Sequence, residues 1–446
     1  MSRARPYLLA LGTEALALAV LDGRLHHDEV HQYIEPAHRM VWGYGTVAHE
    51  WHRGMRNTVA PTALAGLFSL ARALGLDGPW GLFFARHAAM ALLSLLALRA
   101  AMDHVRAQTA DPALARLAGC AIALSVPWGA LATRTLGESL SMVAVLLGLA
   151  ALSRGRWVAV GAAAGAAFVL RYPAGLFSAA LGMFALRDRR SLGRFAIGLT
   201  LPLALLAWAD LRAWGSPFAS VRAYATFNLV HDRARIEYGA RPWWFYLACA
   251  LAFAPWPMAL ALKGISRARR ALPALACLGV YLVAMSALAH KEPRFFLTAV
   301  PLVAVALACA GEGVSRRAAM ALGLLAAQSA AALVGWWASG LFQGDIARAT
   351  RWVSARGDVG AVRVMNASHP GWASLRRPVP LDADPRERLA VSLRALDERP
   401  RPRAGRTYAL CEGRLRAGEG ARCAEALRAR GFVAVSTHGR TVVFAR

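Results

Sequence analysis

The sequence has 446 residues, of which 57% are hydrophobic and only 17% are charged. This composition is too apolar for a soluble protein and is typical of a helical protein with many membrane spans. Lys and Arg number 52 against 26 Asp and Glu, a formal net charge of +26. Because no recognisable nucleic-acid-binding motif accompanies this excess, we attribute it mainly to membrane topology and exclude nucleic acid as a partner.

Eleven apolar segments predict a mainly α protein, a polytopic bundle of about eleven transmembrane helices. Basic clusters occur at every second turn, and the positive-inside rule places them, with the N-terminus, in the cytoplasm. Four polar segments then face the other side of what we expect to be a bacterial-type inner membrane: 23–81, 133–138, 212–242 and 290–295. The apolar segments are 6–21, 82–98, 113–130, 137–152, 157–170, 173–186, 195–211, 243–262, 272–289, 296–310 and 318–338.

The chain changes character near residue 341, where the long apolar segments end. Short strand-like runs and amphipathic segments follow, which predicts a small soluble α/β domain over 341–446, outside the cytoplasm. Residues 1–340 then form the membrane domain. Cys411 and Cys423 lie in this tail and can form a disulfide if it faces an oxidising compartment.

The first far-side segment, 23–81, contains no run long enough to cross a membrane. Its mixture of charged, aromatic and aliphatic residues predicts helices that lie in the membrane interface. Near its start stand two adjacent carboxylates, Asp28 and Glu29, in an otherwise apolar chain. If this stretch is an α-helix, Asp28, Gln32 and Glu35 share one face.

The carboxylate of Asp28 has two interpretations. A carboxylate at the membrane boundary can act as a general base that deprotonates an acceptor hydroxyl. Asp28 can equally cap the helix that follows, as Asp often does, and the residues alone leave both open. Pro36 is expected to end or kink that helix.

Aromatic and arginine residues alternate in segment 212–242, a pattern that suits binding of a sugar-phosphate headgroup. Aromatic rings stack on sugars, and the Arg guanidinium donates paired hydrogen bonds to phosphate oxygens. Asn228, His231 and Tyr238 are the candidate contacts there. Trp243 and Trp244, which follow, fit an aromatic belt at the start of the next helix.

The strongest pattern is the turn HKEPRFF, residues 290–296, between two apolar segments. Burying Lys291, Glu292 and Arg294 near hydrocarbon is costly unless they pair with one another or meet a charged ligand. A simple turn would use Gly, Asn or Ser instead. The turn is therefore either a phosphate-binding site or an ion-pair staple between two helices.

Several motifs, in chain order, resemble the signatures of the Alg9-like mannosyltransferases, a family of the GT-C group. HKEPRFF resembles the family's His-Lys-Glu-x-Arg-Phe signature, and HDEVHQ resembles its His-Pro-Asp-Glu-x-x-Gln opening, with His27 where Pro is usual. Weaker likenesses are Tyr44-Gly45 with Glu50-Trp51 and Arg53-Gly54-Met55-Arg56, Arg134-Thr135-Leu136, Arg171-Tyr172-Pro173, and the run from Asp210 through Trp214-Gly215, Phe227-Asn228 and Tyr238-Gly239 to Tyr246.

The resemblance implies a GT-C fold and an inverting transfer of mannose from a polyprenyl-phosphate donor to a lipid-linked or glycan acceptor. It implies that a first-loop carboxylate, Asp28 or its neighbour Glu29, is the base or positions the acceptor; we favour Asp28. No cofactor is required; a metal ion is possible but not required, and no ligand spacing for one stands out. The remaining site residues carried over are His290, Lys291, Glu292, Arg294, Arg134, Asn228, His231 and Tyr238 for the donor, and Gln32, Trp51 and Arg56 for the acceptor.

Two other classes of function are weighed against a membrane glycosyltransferase. A transporter or flippase of polar or glycosylated lipids often has related halves and charged residues at the membrane midplane, whereas this sequence shows no internal repeat. A structural membrane protein that recruits partners through its tail leaves the polar far-side segments unexplained.

Overall fold

The computed structural model describes residues 2–21, 23, 26–339, 343–367, 369–376, 378–383, 388–398, 402, 404–413 and 418–446. The fold is mainly helical, with a small sheet near the C-terminus. Contacts divide the chain into two compact units. Unit 1 comprises Met1–Ala17, His49–Ala60 and His87–Ala332, and unit 2 comprises Leu18–Ala48, Pro61–Arg86 and Leu333–Arg446. The predicted boundary near residue 340 stays a prediction.

The helices up to residue 339 are numbered in chain order. They are α1 (Arg5–Val20), α2 (Glu35–Trp42), α3 (His49–His52), α4 (Val59–Ala73), α5 (Pro79–Thr109), α6 (Pro112–Ala123), α7 (Val126–Leu131), α8 (Gly137–Leu152), α9 (Trp157–Leu170), α10 (Gly175–Met183), α11 (Arg189–Trp214), α12 (Ala219–Ala225), α13 (Arg233–Tyr238), α14 (Phe245–Phe253), α15 (Ala268–Ala287), α16 (Pro293–Leu297), α17 (Val300–Ala310) and α18 (Ala318–Ser339). Two π-helical turns, Glu29–Ile34 and Thr226–Val230, interrupt this series.

Five helical segments in the described part of the chain are long and apolar enough to cross a membrane: Pro79–Thr109, Arg189–Trp214, Ala268–Ala287, Pro293–Ala310 and Ala318–Ser339. Shorter apolar helices include α6, α8 and α9. The predicted segments 137–152 and 157–170 coincide with α8 and α9. The expected total of about eleven spans is not confirmed. Helices α2, α3 and α4 occupy the first loop, where non-spanning helices were expected.

Unit 1 has a core rich in alanine and other small residues. Helices α9 and α11 cross where Gly161 and Gly198 leave no room for a Cβ atom, since each would clash with the backbone of the other helix. Small residues permit such close helix contacts in membranes, where packing replaces the hydrophobic drive.

Helix α6 begins at a typical N-cap residue. Asp111 accepts hydrogen bonds from the amides of Ala113 and Leu114 at the start of α6.

The C-terminal part of unit 2 contains a small sheet with flanking helices. Its sheet has the order β2-β1-β3-β5-β4, with β1 parallel to β2 and β3, and β5 antiparallel to β3 and β4. The three-residue β2 was not predicted. The elements are α19 (Gly344–Ser354), β1 (Val359–Val364), β2 (Leu381–Ala383), α20 (Leu389–Glu398), β3 (Arg406–Glu412), α21 (Glu419–Ala429), β4 (Val433–His438) and β5 (Thr441–Ala445).

A disulfide joins Cys411 in β3 to Cys423 in α21, with Cα atoms 6.0 Å apart. The predicted pairing is therefore confirmed. The four cysteines of the apolar segments are free and buried.

Candidate functional site

In unit 1, Glu138 in the first turn of α8 is buried and shared by two arginines. Its Oε1 lies 3.2 Å from Arg171 Nη2 and 3.3 Å from Arg294 Nη1. Arg171 ends α9 and Arg294 belongs to α16, so one carboxylate joins three elements distant in sequence. We call Glu138, Arg171, Glu292 and Arg294 the arginine–glutamate cluster.

The HKEPRFF turn contributes the second carboxylate of this cluster. Glu292 Oε2 lies 2.6 Å from Arg294 Nε, and its Oε1 lies 3.0 Å from His290 Nε2. Pro293 is the first residue of α16. Proline suits this position because the first amide of a helix has no carbonyl partner within the helix. Glu292 thus orients Arg294, as expected, whereas the Lys291 ammonium donates to the backbone carbonyls of Arg241 and Leu288.

An aromatic frame fixes both guanidinium groups. Arg171 Nη1 donates to the hydroxyl of Tyr281 at 3.0 Å, and this hydroxyl donates to the carbonyl of Phe295 at 3.0 Å. The guanidinium carbons of Arg171 and Arg294 lie 4.6 and 5.0 Å from the centroid of the Phe295 ring. Cation–π contacts and ion pairs together hold two positive groups in fixed orientations, an arrangement that suits recognition of phosphate. Tyr281 and Glu138 were absent from the predicted site.

Tyr238 connects this turn to α3, in the middle of the first loop. Its hydroxyl lies 2.8 Å from His49 Nε2, and its ring centroid lies 5.4 Å from that of His290. The structure therefore brings Tyr238 to the HKEPRFF turn, as the donor-site prediction requires.

The two predicted acceptor residues of unit 1, Trp51 and Arg56, both contact Trp214. Arg56 Nε lies 2.6 Å from Glu50 Oε2, and the Arg56 carbonyl accepts from Trp214 Nε1 at 3.0 Å. Trp51 is buried with its ring centroid 6.2 Å from that of Trp214.

The three other predicted donor residues are Asn228, His231 and Arg134, and their surroundings differ. The Asn228 amide donates to the Tyr224 carbonyl at 2.9 Å, within the second π-helical turn. His231 is exposed, and Arg134 is fully buried in the turn before α8. Their assignment stays a prediction.

In unit 2, the first-loop carboxylates lie on a helix that is not a regular α-helix. Glu29–Ile34 is a π-helical turn, so the expected shared α-helical face of Asp28, Gln32 and Glu35 is wrong. Pro36 gives a physical reason: it has no amide hydrogen for the carbonyl four residues earlier, and its ring crowds that carbonyl unless the turn widens. Pro36 does not end the helix but lies in the first turn of α2.

The two adjacent carboxylates have different surroundings. Glu29 is fully buried, and its Oε1 accepts from Arg86 Nη1 at 2.7 Å. Asp28 Oδ1 lies 3.4 Å from both His26 Nδ1 and His27 Nε2. The Asp28 side chain makes no capping hydrogen bond to the helix, which contradicts the capping interpretation.

His26, His27 and Asp28 offer three potential metal ligands, whose atoms lie within 4.8 Å of one another. Two imidazole nitrogens and one carboxylate oxygen suit Zn²⁺ and related divalent ions. Sequence analysis assigned no metal ligands, because three ligands at adjacent positions follow none of the usual metal-site spacings.

Glu35 is a buried carboxylate that was not included in the predicted site. Its Oε2 accepts from the amide of Thr46 at 2.8 Å, and its Oε1 from the amides of Trp372 and Ala373 at 2.6 and 3.4 Å. Burial raises the pKa of Glu35 to about 7, although these hydrogen bonds act in the opposite direction. Gln32, on the same stretch, is also buried. A further expectation from the sequence is that Asp28 and Arg294 converge on one pocket at the outer leaflet, and it stays a prediction.

The fold matches that of a solved structure over the whole length of the chain. The structure of ArnT from Cupriavidus metallidurans bound to undecaprenyl phosphate matches with a TM-score of 0.60 at 16% identity, over 100% of this chain and 98% of that chain. Apo ArnT matches over the same shares of the two chains with a TM-score of 0.56 at 17% identity. The likeness shows that this chain has the same fold as ArnT.

The family follows from the sequence. The model of the Alg9-like mannosyltransferase family matches residues 7–343, and the chain belongs to this family. GPI mannosyltransferase 3 of Yarrowia lipolytica is 31% identical over 298 residues, 63% of this chain and 57% of that protein. GPI mannosyltransferase 3 of Trypanosoma brucei brucei is 25% identical over 340 residues, 62% of this chain and 59% of that protein. The chain therefore spans less than two thirds of these relatives.

Replacing Glu138 with Gln should strongly destabilise unit 1. The change removes the negative charge shared by two buried guanidinium groups, and breaking such a pair costs about 3–5 kcal/mol. Thermal unfolding of the purified protein in detergent measures the loss. Asp103→Asn is the matched control, because Asp103 pairs with Arg154 at 2.8 Å in a largely exposed setting and should cost less than about 1 kcal/mol. Equal losses in the two variants would contradict a special role for the cluster.

The stability of unit 2 should depend on pH through Glu35. The pKa of Glu35 is about 7 in the folded protein, and its ordinary value is 4.5. At a pH between these two values the folded state therefore binds more protons than the unfolded state. The free energy of unfolding therefore falls as pH rises through this window, by at most about 1.4 kcal/mol per pH unit, and levels off above it.

Unfolding midpoints measured from pH 4.5 to 8 test the dependence on Glu35. Glu35→Gln should remove the contribution of Glu35 to the dependence of stability on pH. It should also lower stability by about 1–3 kcal/mol, because the side-chain NH₂ group cannot accept a hydrogen bond from a backbone amide. The exposed Glu425→Gln should keep the wild-type slope. A slope unchanged in Glu35→Gln would assign the pH dependence elsewhere.

Proposed function

We propose that this protein is a mannosyltransferase that moves mannose from polyprenyl-phosphate mannose to a lipid-linked or glycan acceptor, with inversion. Membership of the Alg9-like family, over residues 7–343, carries the proposal. The sugar, donor and acceptor are inferred from the family rather than from a bound ligand. ArnT, whose structure holds undecaprenyl phosphate, supports a polyprenyl-phosphate donor.

In the proposed reaction the acceptor hydroxyl attacks the anomeric carbon, and the bond from that carbon to the phosphate oxygen breaks. The lipid phosphate leaves and carries the bonding electrons. Arg294, oriented by Glu138 and Glu292, provides positive charge for this leaving group. Arg171 shares the same carboxylate and adds to the field.

Asp28 accepts the proton of the acceptor hydroxyl or orients that hydroxyl. Its competitor Glu29 is fully buried and its carboxylate is held in an ion pair by Arg86 at 2.7 Å. Asp28 Oδ1 lies 3.4 Å from a ring nitrogen of His26 and of His27, and the Asp28 side chain does not cap the helix. These contacts support Asp28 over Glu29.

The proposed location is a multi-pass protein with its active site and C-terminal domain outside the cytoplasm. The Cys411–Cys423 disulfide supports an oxidising compartment for this domain, since cytosolic proteins seldom keep such bonds. The arginine distribution of the membrane segments supports the same orientation.

Replacing Asp28 with Asn should lower kcat by about 10²–10⁴-fold, because the amide cannot accept the proton. The assay uses synthetic polyprenyl-phosphate mannose with radiolabelled sugar and, as acceptor, a lipid extract from cells that lack the gene. Products are identified by mass spectrometry. Asp77→Asn, an exposed change in the same loop, should retain full activity. Unchanged turnover in Asp28→Asn removes Asp28 from the chemistry, and movement of intact lipid-linked sugar without a new glycosidic bond would indicate a transporter.

Chelation should leave the transfer rate unchanged, since the proposed chemistry uses arginines rather than a metal to stabilise the leaving phosphate. The test is transfer activity after dialysis against EDTA, with and without added Zn²⁺, Mn²⁺ or Mg²⁺. Activity lost on chelation and restored by one ion would overturn this expectation. Alanine substitution at His27 would then test whether His26, His27 and Asp28 bind that ion.

A further inference from the structure

Tyr224 in α12 lies beside two groups that the proposed reaction has to bring together. The guanidinium carbon of Arg56, a predicted acceptor residue, lies 5.8 Å from the centroid of the Tyr224 ring. The Tyr224 ring also packs edge-on against Tyr172, with centroids 5.2 Å apart, and Tyr172 directly follows Arg171 of the arginine–glutamate cluster. All of these residues belong to unit 1. Tyr224 therefore adjoins both the predicted acceptor contact and the segment that carries Arg171.

The hydroxyl of Tyr224 makes no hydrogen bond within the described part of the chain, and the side chain is only partly buried. Burial raises the pKa of Tyr224, although the positive charges of Arg56 and Arg171 act in the opposite direction. The phenol therefore keeps its proton at neutral pH. A protonated phenol can both donate and accept a hydrogen bond, so this hydroxyl can serve a ligand that lies near the two arginines.

A directed series of hydrogen bonds, which we call the hydroxyl chain, fixes the ring of Tyr172, against which Tyr224 packs. Asp210 Oδ2 accepts from the Ser220 hydroxyl at 2.5 Å. A hydroxyl has one hydrogen, so the Tyr172 hydroxyl, 2.5 Å from Ser220 Oγ, donates in the same direction. Asn57 Nδ2 in turn donates to the Tyr172 hydroxyl oxygen at 3.0 Å. Asp210 and Ser220 are fully buried, so water does not compete for their hydrogen bond.

The backbone around Tyr224 is fixed as well. The Ser220 amide donates to Asp210 Oδ2 at 2.9 Å, which ties the start of α12 to α11. The side chain of Asn228, a predicted donor residue, donates to the Tyr224 carbonyl at 2.9 Å. Since ring and backbone are already held in place, a ligand that meets the Tyr224 hydroxyl has little further ordering to impose.

We propose that the Tyr224 hydroxyl binds a hydroxyl group of the transferred sugar. The sugar contact rests on the proposed function, in which the sugar lies between the leaving phosphate near Arg171 and the acceptor near Arg56. A sugar hydroxyl needs a partner that both donates and accepts, which a phenol provides and a guanidinium does not. Both arginines keep the carboxylate partners described above, because the contact uses the phenol alone. The hydroxyl chain positions Tyr224 through Tyr172.

The transfer assay compares the wild type with Tyr224→Phe on polyprenyl-phosphate mannose and on donors that carry 2-, 3-, 4- or 6-deoxymannose. With mannose, Tyr224→Phe should lower kcat/KM by about two- to tenfold, the usual net value of one neutral hydrogen bond. With the one deoxy donor that lacks the bound hydroxyl, the two proteins should be equally active. Tyr7→Phe changes a phenol that packs against the core near the start of α1 and should match the wild type with every donor. Equal losses with all five donors, or no loss with mannose, would overturn the sugar contact.

The positioning role of the hydroxyl chain is tested with the same donors. Tyr172→Phe should lower kcat/KM with mannose when it is made alone. In the Tyr224→Phe background it should add no further loss, since it acts through the Tyr224 hydroxyl. Losses that add in the double variant would show that the chain stabilises the fold independently of the sugar contact, and they would contradict positioning.

Isothermal titration of the full-length protein in detergent separates the sugar contact from the proposed function, because it requires no transfer. The ligands are farnesyl-phosphate mannose and its four deoxy analogues. Tyr224→Phe should weaken binding of the mannose compound by about two- to tenfold and leave binding of one deoxy analogue unchanged. If this pattern appears while the wild type transfers no mannose, the proposed function fails and the sugar contact is retained. If the wild type does not bind farnesyl-phosphate mannose, or if Tyr224→Phe weakens all five compounds equally, the sugar contact is wrong.

Discussion

The sharing of one buried carboxylate, Glu138, between Arg171 and Arg294 is the interaction on which the interior of unit 1 depends. Away from water, an unpaired guanidinium is costly, and a pair of them would also repel each other. Glu138 removes both problems at once. Because its partners come from the end of α9 and from α16, the same contact sets how these helices meet α8. Glu138 thus orients an arginine of the HKEPRFF turn and also stabilises the packing of these helices.

The sequence was informative where chemistry is local. The composition of HKEPRFF demanded ion pairs or a charged ligand, and the pairing of Glu292 with Arg294 and His290 follows from neighbours within four residues. The sequence could not supply Glu138 as their partner, because no periodicity links a carboxylate to arginines on remote helices. Arg171 was seen in a weak motif, but its role depends on that same long-range contact.

Secondary structure was predicted well where hydrophobic residues recur at a regular spacing and poorly where they do not. Helices α8 and α9 have the predicted bounds, and alternating residues revealed most strands of the C-terminal sheet. The π-helical turn Glu29–Ile34 was missed because both templates, of period 2 and period 3.6, exclude it. The ties of Glu35 to the amides of Trp372 and Ala373 were missed for another reason: backbone donors carry no sequence signature.

The π-helical turn has a consequence for how related chains should be aligned. A wide turn of this kind holds one residue more than an α-helical turn, so loss of a single residue between Glu29 and Ile34 would leave a continuous helix. Everything before that point would then rotate by about 100° about the helix axis. Two relatives that differ by one residue here would both look helical, yet they would point the aspartate of this stretch in different directions.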